Sequence, residues 1–102
     1  MTTYRLERVR ELIKRGVGEA IQRYFQMEQA GMISVYDVEV SRDFQQAKIY
    51  VTILGNEEKK KKSFEYLQEN KHLIQQHIAS ILVMKHTPKL TFILDNSIER
   101  GN

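Results

Sequence analysis

The sequence predicts an α+β fold, a three-stranded sheet with helices on one face, and three observations carry that reading. Ala47, Ile49, Val51 and Ile53 alternate with Gln46, Lys48, Tyr50 and Thr52, the period of a strand with one buried face. Leu6, Val9, Ile13, Val17, Ala20 and Tyr24 recur at steps of three and four, the stripe of an amphipathic helix. Beyond Pro88, Leu90, Phe92 and Leu94 alternate with Lys89, Thr91 and Ile93, which predicts a third strand. The element order is helix, strand, strand, helix, helix, strand.

Each element has its own local reason. Gly16 and Gly18 interrupt the first helix and cost on the order of 1 kcal/mol each relative to alanine, so either another element approaches closely or the helix is weakened there. Gly31 closes the linker into the first strand, a run rich in β-branched residues from Ile33 to Val40. Ser41, Arg42 and Asp43 supply the polar corner that folds the second strand back antiparallel. After Gly55, Asn56 is placed to cap a helix whose first turn carries Glu57 and Glu58, where the helix dipole favours negative charge. Phe64 and Leu67 begin an apolar stripe that Ile74, Ile78 and Ile81 continue. The polar interval from Gln68 to His72 breaks it, which predicts a kink at Asn70, Lys71 and His72. Pro88, with Thr87 before it turned away from helical angles, ends the helical region by about Lys85.

A chain of 102 residues without cysteine is expected to form one domain and to bury roughly two-thirds of its unfolded surface without disulfide or metal. No apolar h-region follows Met1 and no apolar run approaches 18 residues, so the expectation is a soluble protein without a membrane partner. Sixteen Lys and Arg against thirteen Asp and Glu leave a formal charge of +3, a mild lean towards polyanions.

The residues also carry a family resemblance. Val38-Glu39-Val40-Ser41-Arg42-Asp43, Ala47-Lys48-Ile49-Tyr50-Val51, Thr87-Pro88-Lys89-Leu90-Thr91-Phe92 and Asp95-Asn96-Ser97-Ile98 occur in order, at distances that resemble the ribosome-binding factor A family over nearly the whole chain. The element order is also that of a single type II KH-like domain, α-β-β-α-(kink)-α-β. Departures mark a divergent member. The family's Ala-x-Gly at the kink is replaced by Asn70, Lys71 and His72, the arginine after it by Gln75, and the usual Pro-Glu-Leu by Pro88-Lys89-Leu90. The Asp-Pro-Arg loop after the first helix gives way to residues around Glu28-Gln29-Ala30-Gly31, and many members run on into a charged tail beyond the position of Asn102.

The resemblance implies a cytoplasmic, monomeric, non-enzymatic factor that binds the free small (30S) ribosomal subunit and assists late maturation and processing of its 16S RNA, without cofactor or small-molecule substrate. KH domains clamp nucleic acid through a Gly-x-x-Gly loop, and none occurs here, as in the family. Recognition then falls to basic side chains and shape. The candidate RNA ligands are Lys85, His86 and Lys89 around Pro88, Arg5, Arg8 and Arg15 on the first helix, Arg42 at the strand corner and Lys71 at the kink. On the first helix, Arg5, Arg8, Arg15 and Arg23 on one flank, with Glu7, Glu11 and Glu19 interleaved, read equally as an ordinary solvated surface. Lys59 to Lys62 point in four directions and read as a soluble helix surface or as a backbone contact.

Other chemistries find little support. His72 and His77 are five apart, not the i, i+4 spacing of helical zinc ligands, and His77 reads as a core-edge residue. Ser34, Ser41, Ser63, Ser80 and Ser97 have no nucleophile setting, Gly16-Val17-Gly18 follows no strand, and of the carboxylates Asp43, Asp95 and Glu99 that could pair, turn and cap roles explain Asp43 and Asp95 without catalysis. Lys48-Ile49-Tyr50-Val51 lacks the aromatic pair of an RRM strand. A second reading stays open, a small protein-interaction module docking through the first-strand edge or a helix flank, its positive charge serving solubility alone.

Overall fold

The computed structural model describes residues 2–25 and 32–95. Its elements are α1 (Thr2–Tyr24), β1 (Met32–Val40), β2 (Gln46–Leu54), α2 (Glu57–Glu69), α3 (Lys71–Ile81) and β3 (Lys89–Leu94). The sheet order is β1-β2-β3, with β1 antiparallel and β3 parallel to the central strand. The predicted linker at 28–31 and the positions of Asn96, Ser97, Ile98 and Glu99 lie outside the described residues.

The alternation in β2 does what its period requires. Ala47, Ile49, Val51 and Ile53 are buried on the helical side together with Val38, Leu90 and Phe92. Against them pack Val9, Ile13, Val17, Ala20 and Ile21 of α1, Leu67 of α2, and Ile74 and Ile78 of α3. Burial of this continuous apolar surface drives the two layers together. The α1 stripe differs from expectation at its end: Tyr24 stays 37% exposed, and Ile21 and Phe25 take its place in the core. The Phe25 ring meets Tyr66 of α2 edge-on, with centroids 5.3 Å apart.

β1 contains a register shift between Val35 and Asp37. Val35 pairs with Val51 but Asp37 with Tyr50, leaving Tyr36 as an extra residue. The bulge reverses the parity of the strand, so Ile33 and Val35 before it and Val38 and Val40 after it all face the helices.

Asn56 caps α2, its side-chain oxygen accepting from the Lys59 amide at 2.8 Å. The helix breaks at Asn70, as the polar interval predicts, and the Asn70 side chain donates back to the Tyr66 carbonyl at 2.9 Å. α3 ends at Ile81, four residues before the expected Lys85. Leu82 turns to extended angles and is buried, while Val83 is left fully exposed. The sequence offers no glycine or proline at that point; the stop is set by burial of Leu82 and by the return path to β3.

Candidate nucleic-acid interface

The corner between β1 and β2 is a hydrogen-bonded turn. The Ser41 amide donates to the Gln46 carbonyl and the Phe44 amide to the Ser41 carbonyl, each at 2.9 Å. The Ser41 hydroxyl donates to Asp43 Oδ1 at 2.7 Å and accepts from the Gln46 amide at 3.0 Å. The Gln45 amide donates to the same Asp43 oxygen at 3.1 Å. These donors, Ser41 first, hold the Asp43 carboxyl below its ordinary range. Asp43 is thus spent on the turn, and Arg42 stands exposed at its tip.

Two other elements reach this corner. Arg5, in the first turns of α1, lies with Cζ 5.2 Å from the centroid of the Phe44 ring. β3 begins alongside, with Lys89 in register with Gln46 and its amide donating to the Gln45 carbonyl at 2.9 Å. The structure therefore brings Arg5, Arg42 and Lys89, far apart in sequence, to one end of the sheet. Lys85 and His86 are exposed within four residues of Lys89 on the connection that leads to it. Pro88 between them is fully buried and anchors that connection.

Gln75 holds the start of β3 in place. Its amide nitrogen donates to the Pro88 carbonyl at 2.8 Å and its oxygen accepts from the Leu90 amide at 3.2 Å, so one side chain fixes the backbone on both sides of Lys89. Lys71, half-buried, stands one turn before Gln75 on the same row of α3.

The remaining candidates are not gathered there. Arg8 is exposed one turn along α1 from Arg5. Arg15, about 15 Å further down the axis than Arg5, lines a groove with Lys14, Gly18, Ile33 and Val35 near the opposite end of β1. Arg23 sits beside Glu19 and His77. The lysine run corrects the expectation of a uniformly solvated surface: Lys60 is 5% exposed, because it shares the inward row of α2 with buried Ser63 and Leu67, whereas Lys59, Lys61 and Lys62 are exposed. Lys62 approaches Glu58 at 3.8 Å, an i, i+4 pair.

Arg10 was absent from the sequence-based candidates, yet its side chain ties α1 to β1. It donates to the Val38 carbonyl at 2.9 Å and pairs with Asp37 at the bulge. The Val38 amide, then Arg10, hold the Asp37 carboxyl below its ordinary value. The parity change between Val35 and Val38 was the available signal that Asp37 would face the flank of α1. At the α1–α3 contact His77 Nε2 lies 3.4 Å from Glu19 Oε1, at the core edge as expected, while His72 is exposed. Among the described residues no three His, Cys, Asp or Glu side chains converge to hold a metal, and no helix is long and apolar enough to cross a membrane.

A central strand with an antiparallel neighbour on one side and a parallel one on the other, and a broken helix pair between them, defines a type II KH-like protein, here without the glycine clamp. The sequence profile of the family described as ribosome-binding factor A matches residues 5–102. This chain belongs to that family. The ribosome-binding factor A of Acetivibrio thermocellus is 39% identical over 98 residues, 95% of this chain and 80% of that protein. The crystal structure of ribosome-binding factor A from Thermus thermophilus shares the fold, with a TM-score of 0.74 at 21% identity over 87% of this chain and 93% of that one. A homology model of the T. thermophilus protein, fitted into a cryo-electron-microscopy map of its complex with 30S, gives a TM-score of 0.72 at 21% identity, covering 87% and 93% of the two chains.

Proposed function

We propose that this chain is a non-enzymatic assembly factor that binds free small (30S) ribosomal subunits and assists late maturation and processing of 16S ribosomal RNA, as a monomer in the cytoplasm. The observation that carries this reading is the cationic end formed by Arg5, Arg42 and Lys89, on a family fold whose T. thermophilus relative was fitted into a map of a complex with 30S. Arg42 and Lys89, set on a hydrogen-bonded turn and a strapped strand, are placed to meet phosphates. Phosphate neutralisation supplies affinity and the rigid outline of the sheet end supplies the choice of site. Lys85, His86, Arg8 and Lys71 extend the contact, and Arg15 lies outside it.

Charge reversal tests the ranking. Lys85→Glu with Lys89→Glu is expected to weaken binding to free small subunits and lower the log-log salt slope by roughly 0.7–0.9 per lost phosphate contact. Reversal of exposed Lys59 and Lys61 is expected to change both far less. Lys60 is unsuitable as a control, since reversal at a buried site perturbs the fold. Equal effects from the two pairs would contradict the assignment, and binding indifferent to salt would favour docking on a protein through the β1 edge.

A further inference from the structure

Phe44 is the one described residue other than glycine with positive φ, at +60°. A bulky aromatic side chain is rarely found in the left-handed region, where glycine or asparagine relieves the backbone. The turn holds it there through the Ser41 carbonyl on its amide and Asp43 on the amide that follows. The chain thus keeps an aromatic ring where the backbone favours a smaller residue. One side of Phe44 packs against the core, and the guanidinium of exposed Arg5 lies over the ring, 5.2 Å from its centroid. A phosphate contact needs only a point charge, which a lysine supplies. A guanidinium is instead planar and weakly hydrated, able to stack on a flat ligand as well as to sit over an aromatic ring. Arg42, exposed two residues before Phe44, and Lys89, exposed and in register with Gln46 two residues after it, lie at the same end of the sheet.

We propose that Arg5 on Phe44 is a stacking platform for one unpaired nucleobase of an RNA strand whose backbone is held by Arg42 and Lys89. The inference rests on the reading of this chain as a binder of ribosomal RNA and adds a base contact to its phosphate contacts. Every nucleobase offers a π-face, so the platform selects unstacked bases without demanding a particular one.

The test compares the wild type, Arg5→Lys and Phe44→Leu in binding to free small subunits over a range of salt, with thermal unfolding measured alongside. Lysine keeps the charge and loses the plane; leucine keeps apolar packing and loses the ring. Both variants are expected to lose affinity by about ten-fold, the scale of one lost base stack, while the salt slope stays that of the wild type and Arg5→Lys unfolds at the wild-type temperature. Wild-type affinity and slope in Arg5→Lys overturn the platform, because they would make Arg5 a phosphate ligand for which any point charge suffices. A wild type that binds no free subunits removes the assembly-factor reading and this one together, whereas a binding wild type with unaffected variants removes only the platform.

Discussion

Gly16 and Gly18 stand two residues apart on α1 and answer to different constraints. A Cβ on Gly16 would lie 2.5 Å from the Ile81 Cδ1 and 2.7 Å from the Ile78 Cδ1, so this glycine exists to let α3 approach. A Cβ on Gly18 would meet nothing within 4 Å. Gly18→Ala is therefore expected to stabilise the chain by about 1 kcal/mol, raising the unfolding temperature by roughly 4 °C. Gly16→Ala gains the same helix propensity but overpacks against buried Ile78, for a net loss of about 1 kcal/mol. Thermal unfolding of the two variants decides it, and equal shifts would refute the close-approach account. Asp37 gives a pH prediction at the same scale. Its folded carboxyl sits below the ordinary value of 3.8, so the unfolded chain takes up a proton before the folded one does. The stabilisation is full above that value and fades as the pH falls through the lowered one. Asp37→Asn should unfold about 0.5–1 kcal/mol more easily at neutral pH and should show a shallower decline in stability below pH 4, measured by denaturant titration across pH. An unchanged acid limb would show that Asp37 does not matter to folding.

At the scale of elements, period and punctuation were legible in the sequence. The β2 alternation, the stripe of α1 from Val9 to Ala20, the Asn56 cap and the polar break at Asn70 all appear where the residues put them, because each depends on neighbours within one turn or one strand. Contacts across longer separations were not legible. Arg10 finds its acceptors 27 and 28 residues away at the bulge, and nothing in an i, i+3 or i, i+4 pattern announces that. Lys60 reads as one of four equivalent lysines until α2 is laid on the sheet. Gln75 registered only as a departure from the family's arginine, yet its amide straps the start of β3. Gln75→Leu removes both hydrogen bonds at similar size and is expected to cost about 1–2 kcal/mol. Hydrogen exchange at the Leu90 amide should speed up well beyond that of amides elsewhere in the sheet. Gln75→Glu keeps an acceptor for that amide while losing the donor to Pro88, so Leu90 protection should survive better than in the leucine variant. Equal exchange at Leu90 in wild type and Gln75→Leu would refute the strap.

For the whole molecule, the element order was readable from periodicity and the family from four short segments, three of which fall on the strands and on the proline just before β3. The candidate site was readable only as a list of cations. Its grouping needed the sheet, because Arg5, Arg42 and Lys89 meet through the antiparallel turn and the parallel crossover, while Arg15 lies towards the other end of α1. A formal charge of +3 is too small to mark a nucleic-acid binder by itself; what counts is that three cations share one end while Asp43 is engaged within the turn. The most direct measurement is co-sedimentation of the chain with free small subunits and, in parallel, with assembled ribosomes, at low and at moderate salt. The account predicts salt-sensitive binding to free subunits and none to assembled ribosomes. Absence of binding to either, or equal binding to both, would contradict it.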